Sequence, residues 1–562
     1  MQSASFIRKL IYIGIIGLLL IPISLVSLPS ARNRQGEVAS AGGYISRLRE
    51  DYELSQAKLS EIDPASEAMK LASLGLRGVA VNVLWMQALE HKRKDNFDQL
   101  EATLGTLIKM QPNFIKVWEF QAHNLSYNVS AEFDDYEYRY HWVKKGIMFL
   151  TEGIRYNSRD HRMTDNLGWF TGAKIGTSDE RRQFRRMFRL DNDFHQKLAS
   201  YIEPDLYDTP EYGHDNWKMA YYWYDRSRNM VEREQAKQYI SDWRFYQLRP
   251  SQLRNQAMSL QKEFRTDEII KEIWASAARG WLEFGRQKLR NTLGVTFTLD
   301  GNVEAAQRLE RAREQLDEFA PGVRAEIEQA IRQQMNFTQS QRDLLDKPVD
   351  QRTDMEILEA QSLERELFQA YQRIDIGVFE RIPSENRAEA RRVMDVIAST
   401  MSEIYTIEQN QDTANYRYWV SRNQAESEDL TVAAQQKLYD ADELRRRSVF
   451  DDEMEVDLES GERRVLTPGA ISTYERSYSD WQQVMEQYPN LVLGSLGDDI
   501  VDHILKYRQM LQVTQIPWPL DFPLQRFIDV RHFNEENDKL PTSEDLAEER
   551  ALRAAESNSP EK

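Results

Sequence analysis

Cysteine is absent from all 562 residues. That one absence removes disulfides, Cys-ligated zinc, iron–sulfur clusters, a thiol nucleophile and a lipoprotein acyl anchor together. It leaves the compartment open, because a large helical domain can be stable without disulfides in an oxidising space. Histidine is scarce as well. The eight present (91, 123, 141, 161, 195, 214, 503 and 532) show no metal-ligand spacing such as His-Glu-x-x-His. No phosphate-binding Gly-rich loop occurs: Gly14 and Gly17 lie in an apolar run, and Gly494 and Gly497 lack the flanking pattern. Ser-centred nucleophile elbows are missing. Positive charge is in deficit, with 73 Lys+Arg against 91 Asp+Glu and a net charge of -18. Such a potential repels phosphate backbones, which argues against nucleic-acid binding. Carboxylates are so numerous that choosing a catalytic pair among them would be arbitrary. The sequence therefore indicates no catalytic residue, no metal site and no cofactor.

What is present is helical and aromatic. The 12 Trp, 25 Tyr and 22 Phe call for a well-packed body. Its length allows two or three full-sized domains. Between Leu84 and Gly168 a helix-pair spacing recurs. Leu84-Trp85 is followed by Ala88, a charged turn, then Phe97, Leu100, Leu104, Leu107 and Met110-Gln111-Pro112. Trp118, Ala122 and Leu125 open a second unit, and Leu167-Gly168-Trp169 belongs to a third. A large residue, a small one four positions on, a second apolar helix and a terminal Pro describe a tetratricopeptide-type hairpin. The expected repeat core is Leu84, Ala88, Leu104, Trp118, Ala122, Leu167 and Gly168. Units of this kind build surfaces for partners.

A second strong signal lies near residue 10. Leu10–Leu28 is an uncharged, almost wholly apolar run of 19 residues preceded by Arg8-Lys9. As a helix it would reach roughly 28 Å, about the thickness of the hydrocarbon layer. It is longer than the roughly 7–15 residues of a signal-peptide core, and Pro29-Ser30-Ala31-Arg32 is a poor cleavage site. A retained anchor is the better reading. Arg8 and Lys9 compete with Arg32 and Arg34 for the inner face, which tilts toward an inside N-terminus and an exported body. The expected location is the inner cell membrane, as a single-pass protein anchored through residues 10–28.

Leu74-Gly75-Leu76-Arg77-Gly78 through Leu84-Trp85, Pro112-Asn113-Phe114, Trp118-Glu119-Phe120 and Asn124-Leu125-Ser126-Tyr127-Asn128 carry a resemblance. Over roughly residues 70–175 the chain resembles membrane-anchored bacterial proteins with tetratricopeptide-like helices. The resemblance implies a fold and a placement, and no activity. The chain departs from the pattern at Phe133-Asp134-Asp135-Tyr136, an insertion that sets its helices about twelve residues further apart than in a 34-residue repeat.

The remaining organisation follows from composition shifts. The expected regions are an anchor at 1–31, a tether and juxtamembrane helix at 32–62 and helical hairpins at 63–176. An aromatic-rich helical region at 177–345, a partly repeat-like helical region at 346–530 and an acidic disordered tail at 531–562 complete the chain. Arg181, Arg182, Arg185, Arg186 and Arg189 share one helix, which reads as a solvated face paired with carboxylates or as an anion patch. The aromatics at 217–224 sit at helical spacing and read as core, with sugar binding as the alternative. Gly294–Gly301 reads as an isolated strand, and Met454–Leu466 as a small β-hairpin. Pro517-Trp518-Pro519 and Asp521-Phe522-Pro523 are expected to lay rings across the last helix. The fold class is thus all-α, a helical-hairpin body behind one transmembrane helix with a minor β-hairpin insertion.

One polar cluster stands out. Glu119, His123 and Tyr127 are four apart and so share a helix face, which in repeat geometry lines the concave groove. The plainer reading is a hydrogen-bond network tying the Phe133–Tyr138 insertion to the helix pair. The expected function is a non-catalytic, membrane-anchored scaffold that docks another, unidentified envelope protein. The alternative is an envelope enzyme cleaving glycans with two carboxyl groups roughly 5–10 Å apart. Oligomeric state leaves no mark on the sequence.

Overall fold

The computed structural model describes residues 76–347 and 373–557, apart from 95, 210–211, 235, 237, 264–267, 292–293, 335–336, 457–462 and 536–539, together with scattered positions at 11–47 and 360–363. The body is mostly helical, with four two-stranded antiparallel pairs among the described residues. One of these joins Ala31–Arg32 to Val38–Ser40, across the expected boundary between anchor and tether. Much of the apolar run and nearly all of 45–75 lie outside the described residues. Among the described residues no helix is long and apolar enough to cross a membrane. The chain forms two compact units, 1–239 and 240–562.

In the first unit, α1 (Arg77–Arg93) and α2 (Phe97–Met110) form a hairpin. Asn96 caps α2 by accepting from the Gln99 amide. Leu100, Leu104, Leu107 and Met110 recur at helical spacing and are fully buried, facing Ala88. Leu84 is half-buried against the same cluster. Next come α3 (Ile115–His123), α4 (Tyr136–Ile154, capped by Asp135) and α5 (His161–Trp169, capped by Asp160). Trp118, Ala122 and Leu167 are buried together. Trp118 donates its indole N–H to the Pro112 carbonyl at 2.7 Å, so the buried ring leaves no orphaned donor.

The Arg-rich helix α6 (Arg181–Leu190) and α7 (Asn192–Leu198) follow, and α8 (Asn216–Glu232) packs back on α5. The approach is close at Gly168, where a Cβ would lie 2.8 Å from the Tyr224 ring. This packing places the division between units at Tyr239–Ile240, within the 177–345 stretch. Trp217, Trp223 and Tyr224 are buried in this body, while Tyr221 and Tyr222 are half-buried. Arg185 departs from the solvated-face expectation. It is buried, donating to Asn216 Oδ1 at 2.9 Å and lying 3.5 Å from Asp215.

The second unit opens with the pair α9 (Asp242–Glu263) and α10 (Glu268–Arg286). Trp274, Ala277, Ala278 and Trp281 of α10, alternating large and small, are all buried. Then come α11 (Asn302–Glu318), α12 (Val323–Gln334), α13 (Gln339–Asp346), α14 (Ile374–Glu380), α15 (Arg387–Ala414), α16 (Tyr416–Glu426) and α17 (Asp429–Arg446). They continue with α18 (Ala470–Gln487), α19 (Ser495–Thr514), α20 (Gln525–Glu535) and α21 (Ser543–Ser557). The Gly294–Gly301 segment is not isolated: Thr296–Phe297 pairs with Leu289–Arg290, burying Leu289 and Phe297. A second hairpin, Glu453–Val456 with Arg463–Thr467, stands between α17 and α18. Phe522 packs on Tyr478 and Tyr507, so the Pro-rich segment lays its rings on the core.

The acidic stretch from 531 was expected to be disordered, yet Ser543–Ser557 is helical. Asp529 accepts from the Ser543 amide at 2.8 Å, Thr542 and Asp545 bond reciprocally, and Leu540 and Leu546 are buried. A cap and two buried leucines outweigh the acidic composition here.

Candidate functional site

Glu119 and His123 project from α3, and Tyr127 follows in a π-helical turn, Asn124–Val129, that continues it. A π turn inserts one extra residue, which rotates the side chains beyond it. Its neighbour α5 does the same, passing into a π turn at Phe170–Lys174. Both turns are supported from the side. Ser126 packs where Gly146 of α4 leaves room, and Ser130 donates to the Ser126 carbonyl at 2.5 Å. Asn216 Nδ2 donates to the carbonyls of Thr171 at 2.9 Å and Gly172 at 3.4 Å. Arg185 holds that amide in place.

The result is a row of three rings. His123 stacks on Tyr127 with centroids 4.6 Å apart, and Tyr127 stacks on Trp169 at 5.5 Å. Trp169 is 41% exposed, so the row ends on an open ring face. Trp85 meets Phe114 at 5.5 Å and Phe120 at 5.4 Å, and these rings with Lys116, Glu119 and His123 line an open cleft of about 480 Å³. Glu119 is held by Lys116 at 2.5 Å and by Asn166 Nδ2 at 2.9 Å. The three residues are thus tied to α5 through Asn166 and Trp169, not to the Phe133–Tyr138 insertion, whose Phe133 stacks on Tyr138 and Trp142.

Cations border the rings. Lys92 lies 4.8 Å over Phe120, and Lys174 lies 4.3 Å over Tyr127. Burial, reinforced by Lys92 and Lys174, holds the His123 imidazole below its ordinary value, which favours the neutral ring. Burial also lowers the Lys174 ammonium and pushes the Tyr127 phenol up to about 12. The arrangement presents stacked uncharged rings edged by ammonium groups, a surface for apolar and anionic groups together. Its cleft-lining set holds one carboxylate, that of Glu119.

Of the residues in this groove, Asn166, Trp169, Lys174 and Lys92 escaped the sequence reading. Trp169 had a signal: once Gly168 faces α8, the next residue is rotated about 100° toward solvent. A second cluster resembles a relay without forming one. His161 Nδ1 lies 2.8 Å from Asp165 and 3.3 Å from Ser227 Oγ. Both partners sit on the same ring nitrogen, whereas a relay uses the two nitrogens separately. Comparison with known proteins places this chain beside none of them: no family model, no curated protein and no solved structure matches.

Proposed function

We propose that this chain is a non-catalytic, membrane-anchored scaffold of tetratricopeptide-like hairpins that docks a partner protein of the cell envelope. The observation carrying this reading is the His123–Tyr127–Trp169 stack, bordered by Lys174 and ending on the exposed Trp169, beside an open cleft lined by Lys116 with Lys92 over its Phe120 ring. By charge complementarity the occupant is a segment of the partner that carries acidic side chains next to apolar ones. Lys92 and Lys174 meet its carboxylates, and Trp169 and Phe120 take its apolar groups, as aromatic anchors do at interfaces generally. The anchor is the 10–28 run, with the body on the exported side.

Substituting Glu119, His123 and Tyr127 together with Ala should leave folding intact, because none of the three is fully buried. It should remove the partner. Two readouts decide: capture from membranes followed by mass spectrometry, and enrichment of acidic-apolar peptides from a displayed library on the purified chain. Identical partner lists and identical peptide enrichment for wild type and triple mutant would overturn the assignment. Stacked rings also suit a sugar face. Glycan cleavage by the purified chain, with no peptide enriched, would favour the enzyme instead.

The placement has its own test. With no native Cys, single substitutions report topology cleanly. A membrane-impermeant thiol reagent applied to intact cells should label Ser40→Cys and Ser543→Cys but not Ser3→Cys. The reverse pattern would sink the exported-body reading.

A further inference from the structure

The second unit holds a polar cleft of about 220 Å³ between α9, α17 and α19, with Arg422 of α16 among its lining residues. Arg422 is 2% exposed and held in place. Its Nη1 donates to Ser495 Oγ at 2.6 Å and to the Tyr418 hydroxyl at 3.3 Å. Its Nη2 lies 3.5 Å from Asp499 and 3.6 Å from Glu426. Its Nε is buried and has no hydrogen-bond partner among the described residues. An arginine Nε always carries a proton, so this position calls for an acceptor. Nδ1 of His503, another lining residue, is likewise buried with no hydrogen-bond partner among the described residues, its ion-pair contact with Asp442 being long at 3.7 Å.

The facing helix presents charge of both signs. Asp499, Asp502, His503 and Lys506 fall at i, i+3, i+4 and i+7 of α19, on one face. Asp442 underlies the basic turn, lying 3.2 Å from Lys506 and 3.7 Å from Arg445 and accepting from the Tyr474 hydroxyl. Behind the lining, Arg445 shares Asp442 with Lys506, so the Lys506 ammonium is not fully neutralised by that carboxylate. At the other end Asp499 has only the long Arg422 contact among the described residues, and Asp502 is exposed. Leu438 and Ile500 supply apolar wall.

A simple anion would face the exposed Asp502 and an Asp499 only loosely paired with Arg422, and a simple amine would face Arg422 and Lys506. A zwitterion satisfies both sets. We infer that this cleft binds a free α-amino acid, its carboxylate on Arg422 Nε, His503 and Lys506, its ammonium on Asp499 and Asp502, and its side chain against Leu438 and Ile500. This site is separate from the groove of the first unit and does not depend on that reading.

The experiment is a thermal-shift screen of the full chain, purified in detergent, against the twenty standard amino acids. Calorimetry then compares the tightest binder with its deaminated and decarboxylated analogues. One or a few amino acids should bind, and each analogue should bind at least tenfold more weakly. Asp502→Asn and Lys506→Met, at accessible positions that leave the Arg422 core intact, should each weaken binding tenfold or more. No binder among the twenty, equal binding of an analogue, or unchanged affinity in both variants would overturn the inference. His503→Gln should retain measurable binding, since its amide can still donate at that position.

Discussion

Trp118→Ala should destabilise the first unit by about 3–5 kcal/mol, from lost burial plus the cavity left behind. The ring is 1% exposed and packs on Phe149 with centroids 4.8 Å apart and on Tyr156 at 5.9 Å. Gly153 of α4 has no side chain at the contact; a Cβ there would approach the indole to 2.9 Å. The space is therefore shaped around this ring by residues of α3, α4 and the turn after it, and little can collapse into the gap. The substitution also leaves the Pro112 carbonyl with one donor fewer, although Asn157 Nδ2 still reaches it at 3.1 Å. Glu119→Ala, one residue on, should cost about 1 kcal/mol, because its ion pair is with the exposed Lys116 and its bond from Asn166 is only part-buried. Chemical denaturation of both variants is the check. Equal, mild effects would mean that the α3 register is wrong.

Lowering the pH from 7 to 4 should cost the first unit on the order of 2–3 kcal/mol through His195 alone. His195 of α7 is 2% exposed and bonded at both nitrogens. The Phe188 carbonyl, 2.6 Å away, can only accept, so Nε2 carries the proton. Nδ1 then accepts from the Tyr207 hydroxyl at 3.0 Å. A second proton would displace that hydroxyl. Burial, assisted by His214 with its ring 4.1 Å away, lowers the pKa from 6.5 to about 4; the Phe188 bond, Asp191 and Asp208 oppose the shift without cancelling it. The sign follows directly. Above 6.5 neither the folded nor the unfolded chain protonates this ring, and its stabilising contribution is complete. Between 6.5 and about 4 only the unfolded chain takes the proton, so the contribution is lost as pH falls. Hydrogen exchange at the α6 and α7 amides, measured at both pH values, isolates this unit from the other. His195→Gln cannot titrate and keeps a donor for Phe188. It should show a pH loss smaller by that amount, and an equal loss would remove His195 as the cause.

The helical pattern was open to reading because its period is local. Leu100, Leu104 and Leu107 announce a buried face through spacing alone, and Asn96 and Asp135 announce helix starts through side chains that accept the first free amides. The acidic tail misled for a related reason. Composition counts charges, whereas the cap at Thr542–Asp545 and the seats of Leu540 and Leu546 are specific contacts that no average contains. Arg185 misled in the same way. Five arginines on one helix read as a solvated face, but one of them turns inward to fix Asn216, more than thirty positions along the chain.

By itself the sequence determined the mostly helical body, the spacing that sets Glu119, His123 and Tyr127 on one helix, and the acidic balance that disfavours phosphate backbones. Those are consequences of period and composition, which act over a few residues or over the whole chain without regard to contacts. Only the tertiary structure decided what stands across from that helix face. Trp169 completes the ring stack because α8 occupies the Gly168 side of α5 and leaves the next residue facing α3. The π turns that aim Tyr127 and Lys174 are met from other helices, one by Asn216 of α8 and the other by Gly146 of α4, which leaves room for Ser126. Likewise Arg422 and Lys506 share a cleft only through the packing of α16, α17 and α19. In each case the deciding partner is distant in sequence, and no period or propensity encodes which surfaces will meet.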